Sequence, residues 1–329
     1  SRSGYESASK DFVPADLEVQ VPGRAFLITG GNSGIGKVTA TEIAKRGGTV
    51  HLVCRDPGRA EGAKGEIIRE SGNQWPVSVL LPWKQPLPTE SRSPAFERLD
   101  VTGNIFLHIV DLSDPKRIWK FVENFKQEHK LNVLINNAGC MVNERELTED
   151  GLEKNFATNT LGVYILTTAL IPVLEKEHDP RVITVSSGGM LVQKLNTHDL
   201  QSERTAFNGT MVYAQNKRQQ VVLTERWAQM HPAIHFSSMH PGWADTPAVR
   251  LSMPGFHARL GDRLRSAAQG ADTVLWLALS SAVTTQPSGL FFQDRKPVPT
   301  HLPFAGTSSS PAEEDKLIEI LEQLAQRFK

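Results

Sequence analysis

From Arg24 onward the chain alternates short apolar runs with amphipathic segments, and this rhythm restricts its fold more than any other feature. The runs lie at 25–29, 49–54, 105–110, 133–136, 181–186, 234–239 and 289–292. They are rich in Val, Ile, Leu and Phe without strict alternation, as expected of strands covered on both faces. Helical periodicity falls between them, near 34–46, 57–71, 114–129, 150–174, 209–230 and 266–281. The pattern predicts an α/β fold, a single doubly wound parallel sheet of Rossmann type with helices on both faces.

Two stretches break the rhythm. Residues 75–103 hold Pro76, Pro82, Pro86, Pro88 and Pro94, which exclude a helix or central strand and mark an insertion. Residues 294–310, rich in Pro, Thr and Ser, read as a linker. After it, Ser310-Pro311-Ala312-Glu313 has the form of a capping box, and Leu317, Ile318, Ile320, Leu321, Leu324 and Phe328 follow as an apolar stripe. The expected organisation is therefore an N-terminal extension (1–20), one main domain (21–293), the linker, and a C-terminal amphipathic helix (311–329).

Composition removes several function classes. Lys plus Arg and Asp plus Glu each number 36, so no net field draws the chain to nucleic acid. The two cysteines, Cys54 and Cys140, have no C-x-x-C spacing, read as buried thiols, and point to a reducing intracellular compartment, the cytoplasm by default. The longest apolar run, 161–174, is too short to span a bilayer, so no transmembrane helix is expected. The chain opens on Ser1, which leaves room for a targeting segment ahead of it. His231, His235 and His240 straddle a predicted strand without an acidic or cysteine neighbour, so no metal site is expected. A serine hydrolase is also excluded, because Gly31-Asn32-Ser33-Gly34-Ile35 lacks the last glycine of a nucleophile elbow.

Thr29-Gly30-Gly31-Asn32-Ser33-Gly34-Ile35-Gly36 joins the first strand to the first helix, where a dinucleotide pyrophosphate would rest on the helix N-terminus. Gly30, Ser33, Gly34, Ile35 and Gly36 are the candidate phosphate contacts. The second strand ends Val53-Cys54-Arg55, with no carboxylate for a ribose 2′-hydroxyl and a guanidinium able to hold a 2′-phosphate. That favours NADP(H) over NAD(H), although Asp56 is placed to offset Arg55. Asp111 stands either to accept from the adenine amino group or to cap the helix that begins near Ser113.

Together with this turn, Asn136-Asn137-Ala138-Gly139, Ser186-Ser187, Tyr213-Ala214-Gln215-Asn216-Lys217 and Pro241-Gly242 follow one another in a set order. This order resembles the short-chain dehydrogenase/reductase family, in its retinol-dehydrogenase-like branch, over about residues 21–292 outside the insertion. The resemblance implies that Tyr213 is the general acid/base and that Lys217 lowers its pKa and binds the nicotinamide ribose. It further implies that Ser187 orients the substrate oxygen, Asn159 holds a relay water, and Thr246 meets the nicotinamide or pyrophosphate. The residues make chemical sense on their own. Hydride transfer to a carbonyl leaves charge on oxygen that a positioned acid must neutralise, and a tyrosine and lysine four apart share one helix face. Asn137 reads as a tie between strands beside the cofactor, and Asn159 also reads as a buried amide satisfied by backbone. Ser186 is the neighbour most easily confused with Ser187.

The chain departs from the resemblance in the insertion, in the 26 positions between Ser187 and Tyr213, and in Trp243-Ala244 after the proline turn. The expected activity is an NADP-dependent oxidoreductase acting on a small lipophilic alcohol or carbonyl. Its substrate lid would be 245–266, where Val249, Leu251, Met253, Phe256, Leu260 and Leu264 alternate with arginines that also allow peripheral membrane contact. Two rivals keep the same fold, a catalytically silent NADP-binding regulator and a sugar-nucleotide epimerase. The oligomeric state, a homo-oligomer included, is left open.

Overall fold

The computed structural model describes residues 1–72 and 104–329, so the insertion read at 75–103 lies outside the described residues. Its eight-stranded sheet has the order β3-β2-β1-β4-β5-β6-β7-β8. The strands are β1 (Ala25–Thr29), β2 (Thr49–Cys54), β3 (Ile105–Ile109), β4 (Val133–Asn136), β5 (Arg181–Val185), β6 (His235–Met239), β7 (Leu290–Gln293) and β8 (Lys296–Pro297). All pair in parallel except β7 with β8. Strand order reverses at β1, between β2 and β4, which opens a crevice beyond the carboxyl ends of these strands.

The antiparallel β8 adds a two-residue strand within the stretch read as a linker. Asp294 and Arg295 both take positive φ, 50° and 59°, and reverse the chain in two residues as a primed hairpin turn does. Sequence reading misses it because neither residue is the usual glycine or asparagine. Ion pairs hold the turn instead: Arg265 grips Asp294 at 2.7 and 3.0 Å, and Arg295 grips Asp272 at 2.6 and 2.8 Å.

Helices cover both faces. On one, α2 (Gly34–Lys45), α3 (Pro57–Ser71) and α10 (Ala267–Leu279) bury Ile43, Ile67 and Val274 against the sheet. On the other, α4 (Pro115–Glu128), α6 (Gly162–Leu174), α7 (Gly209–Met230) and α11 (Pro311–Arg327) enclose Phe125, Leu166, Trp227 and Leu321. Helix α11 has its capping box, with Ser310 and Glu313 bonded both ways, and docks on this face. There Ala325 O accepts from Trp119 Nε1 at 3.0 Å, and Tyr164 donates to Glu322 at 2.5 Å. The N-terminal extension also packs: α1 (Arg2–Ala8) lies where Arg2 donates to Leu264 O, and Trp276 donates to Asp16.

The short α5 (Lys154–Phe156) runs through a π turn, Ala157–Leu161, into α6. The continuous stretch Lys154–Leu174 is therefore 21 residues, longer than its apolar run, and apolar enough to cross a bilayer. Its apolar window is 78% buried inside the fold, the setting of a core helix.

Candidate functional site

At the crevice, Gly30 and Gly34 take positive φ, 66° and 53°, which turn the chain from β1 into α2. Gly36 is excluded from carrying a side chain by proximity, since a Cβ there would lie 2.4 Å from both Gly30 O and Asn137 Nδ2. Ser33 is the N-cap of α2, yet its hydroxyl makes no capping bond, so it remains available to a ligand. The side chain of Ile35 points away, packing within 3.0 Å of where a Gly270 Cβ would stand, which leaves its backbone as the group facing the turn. Thr246 packs against Gly34 from the opposite side, 3.3 Å from a Cβ built there, and its hydroxyl accepts from Val249 N. These residues form a glycine-lined cradle at the N-terminus of α2, where backbone N–H groups face outward as anion sites do.

Asn137 ties the cradle to β1. Its Nδ2 donates to Thr29 O at 3.0 Å and Gly30 O at 3.3 Å, while Thr29 Oγ1 accepts from the backbone of Asn137 and Ala138. Arg55 is exposed at the end of β2. Asp56 does not pair with it among the described residues, because its carboxylate caps α3 by accepting from Arg59 N. Asp111 accepts from both the N–H and the hydroxyl of Ser113 through one oxygen, an Asx turn ahead of the helix. The actual N-cap of α4 is Asp114. Cys54 is buried, and burial pushes its thiol up to about 11, whereas Cys140 is only half-buried, a correction to the expectation for that thiol.

The catalytic candidates meet where β5 ends against α7. Ser186 is buried and donates to Lys217 O at 3.0 Å, a structural tie. Ser187, half-buried, accepts from Gly189 N at 3.2 Å and keeps its own proton to give. This separates the two serines, which sequence alone could not do. Tyr213 and Lys217 share a face of α7, with Lys217 Nζ 5.3 Å from the Tyr213 ring centroid and donating to Val185 O at 2.9 Å. Burial lowers the Lys217 ammonium to about 8 and pushes the Tyr213 phenol up to about 12, with the neighbouring Cys140 adding to the rise. Burial is the first cause of the Tyr213 rise and Cys140 the second; the ammonium, over the ring and bonded to Val185 O, is not among them.

Asn159 sits in the π turn. Its amide donates to Cys140 O at 2.8 Å and accepts from Cys140 N at 2.9 Å, and its carbonyl accepts from Gln220 at 2.8 Å. The side chain is held by the backbone of Cys140 on both sides and also donates to Asn216 Oδ1 at 3.2 Å. A Cβ on Gly139 would lie 3.3 Å from Asn159 Oδ1 and 3.5 Å from Lys217 Nζ, which places both around one small opening.

Sequence reasoning missed His240. Its Nδ1 accepts from Gly188 N at 2.8 Å and fixes the loop that carries Ser187; burial drops its imidazole to about 4, so it is neutral. The signal was its place just before Pro241-Gly242, which was read only as one of three scattered histidines. His235 and His231 turn elsewhere, to Gln286 O and toward Glu175. From His240 an aromatic path leads outward, to Trp243 at 6.5 Å and on to Phe256 at 4.6 Å. The segment after it forms α8 (Pro247–Ser252) and α9 (Pro254–Leu260), neither of which buries a residue. Leu251 is 83% exposed, so only Leu264 of the expected apolar face is buried. Asp245 holds the two pieces together through Arg250 and His257.

Residues 90–253 match the family described as short chain dehydrogenase. The chain is 80% identical over its full length to dehydrogenase/reductase SDR family member 12 of Bos taurus, covering 95% of that protein. It is 33% identical to retinol dehydrogenase 12 of Homo sapiens, over 84% of this chain and 80% of that one. Among solved structures, an uncharacterized protein from Mycobacterium paratuberculosis aligns at a TM-score of 0.68 and 26% identity, over 96% of this chain and 97% of that one. A short chain dehydrogenase from Escherichia coli CFT073, complexed with NADPH, aligns at 0.62 and 19% identity, over 86% and 100% of the two chains. With its doubly wound sheet, glycine cradle and Tyr213–Lys217 pair, the chain belongs to the short-chain dehydrogenase/reductase family of oxidoreductases.

Proposed function

We propose that the chain is an NADP(H)-dependent oxidoreductase that interconverts the alcohol and carbonyl forms of a small lipophilic substrate. The observation that carries this reading is the Tyr213–Lys217 pair on α7, tied to the end of β5 through Val185 and Ser186, with Ser187 following directly in the chain. Gly30, Ser33, Gly34, Gly36 and the backbone of Ile35 would hold the pyrophosphate, and Lys217 the nicotinamide ribose. Arg55 would take the 2′-phosphate, and the absence of a carboxylate at Cys54 supports NADP(H) over NAD(H). Thr246 closes the cradle from the lid side. Bound nicotinamide supplies or accepts the hydride.

The chain's own groups then manage the oxygen and its proton. A phenol near 12 is protonated at neutral pH and poised to give its proton to a carbonyl oxygen as charge builds there. Lys217, near 8, is mostly charged under the same conditions and stabilises the phenolate left behind. Ser187 has a hydroxyl proton to direct at the same oxygen, and His240 holds its loop in place. Asn159 fixes Cys140 and so shapes the floor near Gly139, where it would hold a relay water. The apolar surface of Trp243, Met253 and Phe256 favours a lipophilic substrate, at about 0.8 kcal/mol per buried methylene. Relatives named retinol dehydrogenases support the same class.

The deciding experiment is Tyr213→Phe, assayed by NADPH consumption against a panel of aliphatic, retinoid and steroid carbonyls. NADPH binding should survive while turnover falls at least about a hundredfold, the usual contribution of a general acid. Undiminished turnover in the variant would overturn the mechanism.

A further inference from the structure

Three histidines distant in sequence converge at the β3 edge of the sheet. In the β2–β3 ladder His51 pairs with Phe106 and Val53 with His108, so His51, Phe106 and His108 present side chains on one face. Helix α4 packs across that face and ends at His129, its C-cap, which brings a third imidazole over the first two. One ring nitrogen from each lies within 4.8 Å of those of the others, with His51 Nδ1 and His108 Nε2 2.9 Å apart.

We propose that His51, His108 and His129 form a site for a divalent transition-metal ion of the zinc type, with three imidazole nitrogens as ligands and the fourth position turned toward solvent. Nitrogens bound to such an ion at roughly 2.0–2.1 Å sit about 3.3 Å from one another, so on loading the 2.9 Å pair would give up its hydrogen bond and open slightly while the third nitrogen, now within 4.8 Å, would close in. The surroundings argue against a simple aromatic stack. Phe106, Phe121 and Phe125 ring the cluster, yet among the described residues the trio shares a single ring-nitrogen hydrogen bond. None of the remaining ring nitrogens is sealed from solvent without a partner, and apart from the Glu128 contact at His129 they are open to a ligand.

The open side is present as well. A cleft of about 260 Å³, lined by His108, His129, Asn124 and Glu128 and also by Arg117 and Lys120, reaches the cluster from α4. The Glu128 carboxylate lies 3.8 Å from His129 Nε2, close enough to orient that ring or to offset the ion's charge. Such an ion would tie β2, β3 and the end of α4 together at the sheet edge. Its chemistry suits imidazole-loving ions, Zn²⁺ among them, and not Mg²⁺ or Ca²⁺, which prefer oxygen.

The test is Zn²⁺ titration of the tag-free full chain after chelator treatment, followed by calorimetry, with X-ray absorption on the loaded protein. We expect one Zn²⁺ per chain, a nitrogen shell fitted by three imidazoles, and a thermal transition that rises with Zn²⁺. His108→Gln and His129→Ala should each weaken binding at least about tenfold and abolish the thermal shift. Should His108→Gln fail to fold, His129→Ala at the half-buried helix end carries the test. Absence of stoichiometric binding, unchanged affinity in a folded His129→Ala, or Zn²⁺ lost only in Cys140→Ser would overturn the proposal.

Discussion

Arg55→Ala isolates cofactor choice from every other property of the molecule. The side chain is exposed at the end of β2, and Asp56, the only carboxylate beside it in sequence, is occupied in capping α3. Removing the guanidinium should therefore leave folding stability within about 0.5 kcal/mol of the parent, as for other surface substitutions. A charge-assisted hydrogen bond to a phosphate contributes about 1.5–3 kcal/mol, and solvent screening at an exposed site places the loss near the lower end. NADPH affinity should fall about ten- to thirtyfold, since 1.4 kcal/mol is about a factor of ten, while NADH affinity stays nearly constant. Parallel calorimetric titrations with both cofactors, at low and high salt, provide the assay. The NADPH penalty should shrink as salt rises. Equal losses for the two cofactors, or no loss for NADPH, would refute the assignment of the 2′-phosphate to Arg55.

Other substitutions probe the rest of the site. Gly36→Ala would press a Cβ to 2.4 Å from Gly30 O and Asn137 Nδ2, so overpacking and a disturbed Asn137 should cost about 2–4 kcal/mol; an unchanged urea midpoint would show that the turn yields more easily than this. Because burial lowers Lys217 to about 8, its charge is present below that pH and lost above it, and carbonyl reduction at saturating NADPH should decline through an alkaline limb near that value. A rate flat into strong alkali would count against the ammonium. His240 is held near 4 against an ordinary 6.5, so the unfolded chain takes up its proton first; stability is fully present above about 6.5 and is lost toward 4, by up to about 3 kcal/mol. His240→Gln should flatten that acid limb, as measured by denaturant melts across pH. Phe256→Ala should raise KM for long-chain carbonyls far more than for short ones, and equal effects on both would remove the lid from the substrate site.

What was legible in the sequence was what local chemistry dictates. Apolar runs without alternation marked β1 to β7, because parallel strands bury both faces and keep few alternatives. The glycine turn was legible because its spacing reflects backbone geometry, and Tyr213 with Lys217 because helical periodicity puts them on one face. What was not legible depends on partners far along the chain. The His51–His108–His129 cluster needs the β2–β3 register and the end of α4 together. The turn at Asp294 and Arg295 needs carboxylate and guanidinium partners from Arg265 and Asp272. The rise in the tyrosine pKa is a property of burial, which a motif does not encode.

The insertion shows how these long-range constraints act. It falls between α3 and β3, yet β3 pairs with β2 in unbroken register from Val50 with Ile105 to Cys54 with Ile109. Lengthening a connection costs only about 0.6 kcal/mol per doubling, a small term beside a five-pair ladder and the buried Ile105 that anchors it. The cradle itself is assembled on the far side of β2, by β1 and β4, through Thr29, Asn137 and Ala138. None of those bonds passes through the inserted stretch. The glycine turn and the Tyr213–Lys217 helix thus meet through the central strands, so extra chain at the sheet's edge leaves the reacting groups where the rest of the fold puts them.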